Sequence, residues 1–298
     1  MSEQKSTVTL TDAYELFMLD NQARRFTPST LTFYRARLTK FIEWCNTRAV
    51  LTLSKITPSI IRAYLVSLQE RELSDYSQHA AARAIRAYLN FCVREELLIE
   101  SPMKKVSMPK VNKKLLPSFS LGEVKKLLQG CDNERDEAIV LFLLDTGLRA
   151  SEFIKLNGED INTSTGEVTI HQGKGGKGRT VFLGVKARKK LLRYYIEFKR
   201  PAAKQPVWCN LNTGERLTKS GLFQMLRRLG DRTGVEHTNP HTFRRTFALW
   251  CLRAGMDVYS LQRLMGHADL TTLLRYLGLT KEDLQRAHNE HGAVDNYL

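Results

Sequence analysis

The sequence lacks several features that would place it in a familiar class. Its 298 residues hold five cysteines, at 45, 92, 131, 209 and 251, odd in number, widely spaced and with no C-x-x-C pair. That pattern argues against a disulfide framework or a zinc ribbon and fits a reduced, cytoplasmic interior. Cys92 and Cys251 sit within apolar helical patterns, so core packing is expected of them. No apolar run approaches the roughly 20 residues of a membrane span. The opening MSEQKSTVTL has no basic start followed by an apolar stretch, so no secretory leader is expected. There is no internal repeat and no low-complexity tract. Acidic residues are scarce beside basic ones, 31 Asp and Glu against 46 Lys and Arg, and no Asp/Glu cluster stands ready to hold a metal. His288 and His291 in HNEH are three apart, but a solvated tail is the simpler reading.

The surplus of base is the first positive signal. A net charge of +15 points to a polyanionic partner, most often nucleic acid. The first hundred residues read as about four helices. Thr27-Pro28 and Thr57-Pro58 are N-cap and first-turn pairs, and Leu31, Tyr34, Leu38, Phe41 and Ile42 recur at helical spacing. The polar faces carry Arg35, Arg37, Lys40, Arg62, Arg83 and Arg86. A small domain of such faces makes a DNA clamp, with Arg35, Arg62 and Arg83 as contact candidates. SPMKKVSMPKVNKKLLPS, residues 101–118, has three prolines, five lysines and no helical period, which marks a linker. Lys104, Lys105, Lys110, Lys113 and Lys114 either track a DNA backbone or solvate a hinge. The domains are therefore expected at 1–104, a basic linker at 105–118, and 119–298.

In the second domain, SLGEVKKLLQG and DEAIVLFLLDTG read as helices ended by Gly130 and Gly147. In EVTIHQGKGGKGRTVFLG, two alternating β-prone runs flank a Gly- and Lys-rich turn, the signature of a β-hairpin. Helical patterns then resume, so the fold is expected to be mainly α with a small β-hairpin. Three stretches carry chemistry. TGLRASE puts Arg149 after a helix-ending glycine with Glu152 three residues on. HTFRR puts His241 and Arg244 on one helical face, after a helix start at Asn239-Pro240 whose amide donors favour a phosphate. LMGHADLTTLLRYL holds His267 after a glycine and Tyr276 within an apolar run. Taken singly, each has an ordinary structural explanation.

In this order, the stretches resemble the tyrosine recombinases, the phage-integrase-type enzymes, and the resemblance covers most of the chain. It implies an N-terminal SAM-like helical core-binding domain and a mixed α/β catalytic domain, with no arm-site domain before them. Arg149 looks like the family's first Arg and Glu152 like its acidic neighbour. Lys174 matches the hairpin Lys, with Lys177 as its rival in the same turn. His241 and Arg244 match the His-x-x-Arg pair, His267 the site of His or Trp, and Tyr276 the nucleophile. The implied activity is a DNA strand transfer through a 3′-phosphotyrosyl link, with no cofactor and no metal. The implied partners are double-stranded DNA, further protomers to make a tetramer on two sites, and an accessory bending or directionality protein. The tail after Tyr276 either docks on a neighbouring protomer or packs in cis. Two departures stand out. Arg245 replaces a second His, and RYLGL replaces the frequent Tyr-Thr-His ending. Both weaken assignment to the Xer subgroup and favour an integrase or transposase of a mobile element. A Xer-like resolvase, a type IB topoisomerase and a non-catalytic DNA-binding regulator remain as alternatives, though a pure binder has no need of Tyr276.

Overall fold

The computed structural model describes residues 8–112, 117–171, 178–266, 285 and 288–290. The chain divides into two compact units, 1–113 and 114–298. The first unit is built from α1 (Leu10–Ala23), α2 (Pro28–Asn46), α3 (Pro58–Glu70) and α4 (Asp75–Arg94). Thr27 and Thr57 cap α2 and α3, accepting from the amides of Thr30 and Ile60, and each is followed by proline at the first helical position. These are the starts read from the sequence. Phe17 fills the centre, edge-on to Tyr34, Tyr88 and Phe91 at 5.0, 5.8 and 5.4 Å. Tyr88 is fully buried and its hydroxyl donates to the Leu10 carbonyl at 2.9 Å, so it satisfies its polar atom while tying α4 to α1. Cys92 lies in this core.

Packing of the first unit runs past the boundary at 104 that composition indicated. Met103 and Val106 are buried in its core and Met108 packs against it. Two or three apolar residues among lysines are too sparse to show a period, so the sequence read this stretch as linker. Arg62 donates to the Lys105 carbonyl at 2.7 Å and holds the stretch down. Lys104, Lys105 and Lys110 are exposed, whereas Lys113 and Lys114 lie outside the described residues.

The second unit contains α5 (Leu121–Gln129), α6 (Glu134–Thr146), the single turn α7 (Ala150–Phe153), strands β1 (Glu167–Ile170) and β2 (Arg179–Phe182), α8 (Val185–Phe198), α9 (Lys219–Thr233), α10 (Pro240–Arg253) and α11 (Val258–Met265). Ser120 and Glu123 form a reciprocal capping box on α5. The strands pair antiparallel, as the alternating runs predict, and the register sets Glu167 opposite Phe182 and Ile170 opposite Arg179. The hairpin's tip, with Lys174 and Lys177, is outside the described residues. Trp208 anchors the core, stacked on Phe153 at 4.7 Å and on Tyr194 at 5.5 Å. Helix α6 is buried along most of its length between α8 and α10. It ends at Gly147 in the left-handed region, φ 58°, where a Cβ would run into the Phe247 ring. That abrupt stop delivers Arg149 to the domain surface. Cys251 is half-buried against the small cluster of Phe247, Leu261 and Met265. Among the described residues, no helix is long and apolar enough to cross a membrane.

Candidate active site

Glu152 is the hub. Its side chain is only 4% exposed and accepts from two guanidinium groups and one amide. Oε1 accepts from Arg149 Nη1 and Arg179 Nη1, both at 2.9 Å. Oε2 accepts from the Arg149 backbone N–H at 2.9 Å and from Arg179 Nη2 at 2.8 Å. Burial alone would raise the carboxyl's pKa. The bonds from Arg179, from the Arg149 amide and from the Arg149 side chain outweigh it and hold the pKa at about 2. Glu152 is thus ionised at neutral pH. The i, i+3 reading of Arg149 and Glu152 holds. The more deeply buried member is the acid, because Arg149 keeps 28% of its side chain exposed.

Three arginines meet at the last turn of α11. Arg179 Nε donates to Leu264 O at 2.7 Å, Arg244 Nη2 to Met265 O at 2.6 Å, and Arg149 Nη2 to Gly266 O at 2.9 Å. These consecutive carbonyls stand at the C-terminal end of α11, the negative end of the helix dipole, so cations are favoured there. Arg244, 3% exposed, also donates to Gly147 O at 2.5 Å, two residues before Arg149. Arg149 and Arg244 are therefore brought together through shared anchors at both Gly147–Arg149 and Met265–Gly266. Gly266 turns the chain at φ 62°. His267 and Tyr276 follow it in sequence and lie outside the described residues.

His241 and Arg244 occupy the first turns of α10, as their spacing requires. One expectation is corrected. The amides of His241 and Thr242 are not presented to an anion, because Asn239 Oδ1 accepts from both at 3.0 and 3.2 Å. The side chain of His241 remains exposed, edge-on to Phe223 of α9 at 6.4 Å. Partial burial, with the cations of Arg245, Lys219 and Arg244 around it, pushes its pKa below 6.5. The ring is neutral near pH 7 and able to accept a proton.

Arg179 was absent from the sequence reading, and nothing local to GKGGKGR marks it. Its partners lie 27 and 85 residues away. Arg245 also gains a role. It is buried, donating to Pro117 O at 2.7 Å and to Thr242 Oγ1 at 2.9 Å. It pins the segment that enters the unit onto α10, beside the bond from Phe119 N to Thr246 Oγ1 at 2.8 Å. Among the described residues, no three His, Cys, Asp or Glu side chains group as metal ligands would.

Forked cationic donors and a neutral imidazole on one helix face can bind an oxyanion and accept a proton. Comparison with known proteins gives the class, the tyrosine recombinases. The phage integrase family profile matches residues 118–283 and the phage integrase SAM-like domain profile matches 9–112, so the chain belongs to the phage integrase family. It is 31% identical over 279 residues to tyrosine recombinase XerD of Oceanobacillus iheyensis, covering 90% of this chain and 93% of the relative. It is 29% identical over 282 residues to tyrosine recombinase XerC of Bacillus pumilus, covering 90% and 92%. The fold resembles a lambda integrase dimer bound to a COC′ core site, with TM-score 0.76 at 16% identity over 91% of this chain and 78% of the other. It also resembles the Tn1549 transposon integrase in complex with transposon right end DNA, with TM-score 0.74 at 16% identity over 96% and 100%.

Proposed function

We propose that this chain is a site-specific DNA recombinase that cuts and rejoins double-stranded DNA through a 3′-phosphotyrosyl intermediate. The observation that carries the proposal is the convergence of Arg149 and Arg244 on adjacent carbonyls at the end of α11, with His241 one turn from Arg244. In the reaction, the Tyr276 hydroxyl attacks the scissile phosphorus and passes its proton to His241. An ordinary tyrosine has a pKa near ~10 and needs that help. Arg149 and Arg244 hold the non-bridging oxygens as charge builds on them, with His267 as a third donor. The P–O5′ bond breaks and the 5′ oxygen takes a proton from Lys174. The phosphotyrosyl bond keeps the phosphodiester energy, so a DNA hydroxyl can reverse the step without ATP.

Exchange of two duplexes takes four protomers. Lys104, Lys105, Lys110, Lys113 and Lys114 supply backbone contacts, with Arg35, Arg83 and Lys177. Arg62 joins them only through a guanidinium already bonded to Lys105 O. Two biological roles have support. Arg245 in place of a second His and the RYLGL ending favour a mobile-element integrase or transposase. Sequence relatives named XerC and XerD along nearly the whole chain favour a resolvase of circular replicons.

The test uses nicked suicide duplexes from the DNA flanking the gene, incubated in EDTA. The expected product is a covalent adduct in which protein occupies the 3′ end and the 5′ end is a free hydroxyl. A protein-blocked 5′ end, or cleavage that strictly requires magnesium, would contradict the mechanism.

A further inference from the structure

We infer that Arg179 is a positioning residue for DNA cleavage, an inference that rests on the proposed recombinase activity. Arg179 opens β2, the strand that leaves the lysine-bearing turn. All three of its nitrogens are engaged: Nη1 and Nη2 grip both oxygens of Glu152 end-on, and Nε holds Leu264 O. Its side chain is only 11% exposed, against 28% for Arg149. Of the two guanidinium groups on Glu152, Arg179 is the more fully spent on protein, leaving Arg149 the more reachable of the pair. The guanidinium also packs on Gly266. A Cβ built there would stand 3.0 Å from Nη1 and 3.1 Å from Cζ and Cδ.

The consequence is a chain of constraint. Arg179 fixes Glu152, and Glu152 fixes Arg149 through its backbone amide and its Nη1. Arg179 and Arg149 also fix Leu264 and Gly266, the residues from which the chain runs on to His267 and Tyr276. The phosphate-holding arginine and the root of the nucleophile-bearing segment are thus set by one buried side chain. Lysine cannot replace it, since a single ammonium nitrogen has no planar fork that matches a carboxylate and leaves a donor on the opposite edge for a carbonyl. A displacement of about 1 Å in such a set is worth on the order of a hundredfold in rate.

The experiment measures site binding, thermal melting and single-turnover cleavage of Arg179→Lys and of Gly266→Ala, which crowds the same guanidinium from the other side. Substrates carry either a normal or a 5′-phosphorothiolate linkage, and wild type and Lys174→Ala run in parallel. Because charge is retained in both variants, affinity should stay within about threefold of wild type, while cleavage falls on the order of a hundredfold. The fall should be the same for both linkages, since the defect is in holding the phosphate rather than in protonating the leaving oxygen. Wild-type cleavage by Arg179→Lys would overturn the inference. So would selective recovery on the phosphorothiolate, which would make Arg179 an accessory of the hairpin lysine. Melting, binding and cleavage lost together would also overturn it, by giving Arg179 a purely architectural role. A wild-type protein that forms no adduct would instead sink the recombinase reading, and this inference with it.

Discussion

Replacing Glu152 with Gln should destabilise the second unit far more than a surface change would. The carboxylate is 4% exposed and satisfies Arg179, itself 11% exposed, together with Arg149. Gln keeps the shape but turns an NH2 group toward a guanidinium and removes the charge that offsets two neighbouring cations. Removing one partner of a buried ion pair costs about 3–5 kcal/mol, because the other charge stays buried. Gln retains one acceptor, so the lower figure of about 3 kcal/mol is the expectation. At about 2–4 °C per kcal/mol for a unit of this size, the transition should fall by about 6–12 °C. Scanning calorimetry of the full chain reads this directly. The pH dependence has a definite sign. A carboxyl with its folded pKa lowered from 4.5 to about 2 contributes stability that is fully present above 4.5 and is lost as pH falls from 4.5 toward 2. Wild type should therefore lose stability through that window more steeply than Glu152→Gln does. A melting shift under about 2 °C, or parallel acid limbs, would refute the hub assignment.

Three further outcomes follow from the same geometry. Arg245→Gln removes a cation that lowers the pKa of His241, so the acid limb of the cleavage pH profile, which lies below pH 6.5, should move up toward it; an unmoved limb would separate His241 from the base role. Asn239→Ala leaves the amides of His241 and Thr242 without their acceptor, and chemical denaturation should report a loss of about 0.5–2 kcal/mol; no loss would mean that water caps α10 equally well. Lys174→Ala should cleave ordinary DNA severely slowly and recover on a 5′-phosphorothiolate linkage, whereas rescue confined to Lys177→Ala would reassign the general acid.

Local signals were legible and long-range ones were not. The Thr27-Pro28 and Thr57-Pro58 starts, the Gly147 stop and the β1–β2 hairpin follow from signals within one short stretch of chain each, and the structure carries all of them. So does the Arg149–Glu152 contact at i, i+3. Arg179 could not be found this way, because its importance comes from a carboxylate and a helix end folded onto it from elsewhere in the chain. The same holds for Arg245, whose partner Pro117 is 128 residues away. The α10 amides were misjudged for the opposite reason. The helix start was right, but the Asn that marks it consumes the donors that a phosphate would use. Lys174 and Lys177 share a glycine-rich turn with no local preference to separate them, and the family pattern alone favours the first.

The central claim is that Tyr276 forms the covalent bond to DNA, and one comparison tests it most directly. Wild type and Tyr276→Phe are each incubated with a nicked suicide substrate, then run on a native gel for binding and a denaturing gel for adduct. The substitution removes one hydroxyl and keeps the ring, so the site-bound complex should form with both proteins. The covalent band should appear with wild type alone. A covalent band of wild-type intensity from Tyr276→Phe would contradict the account.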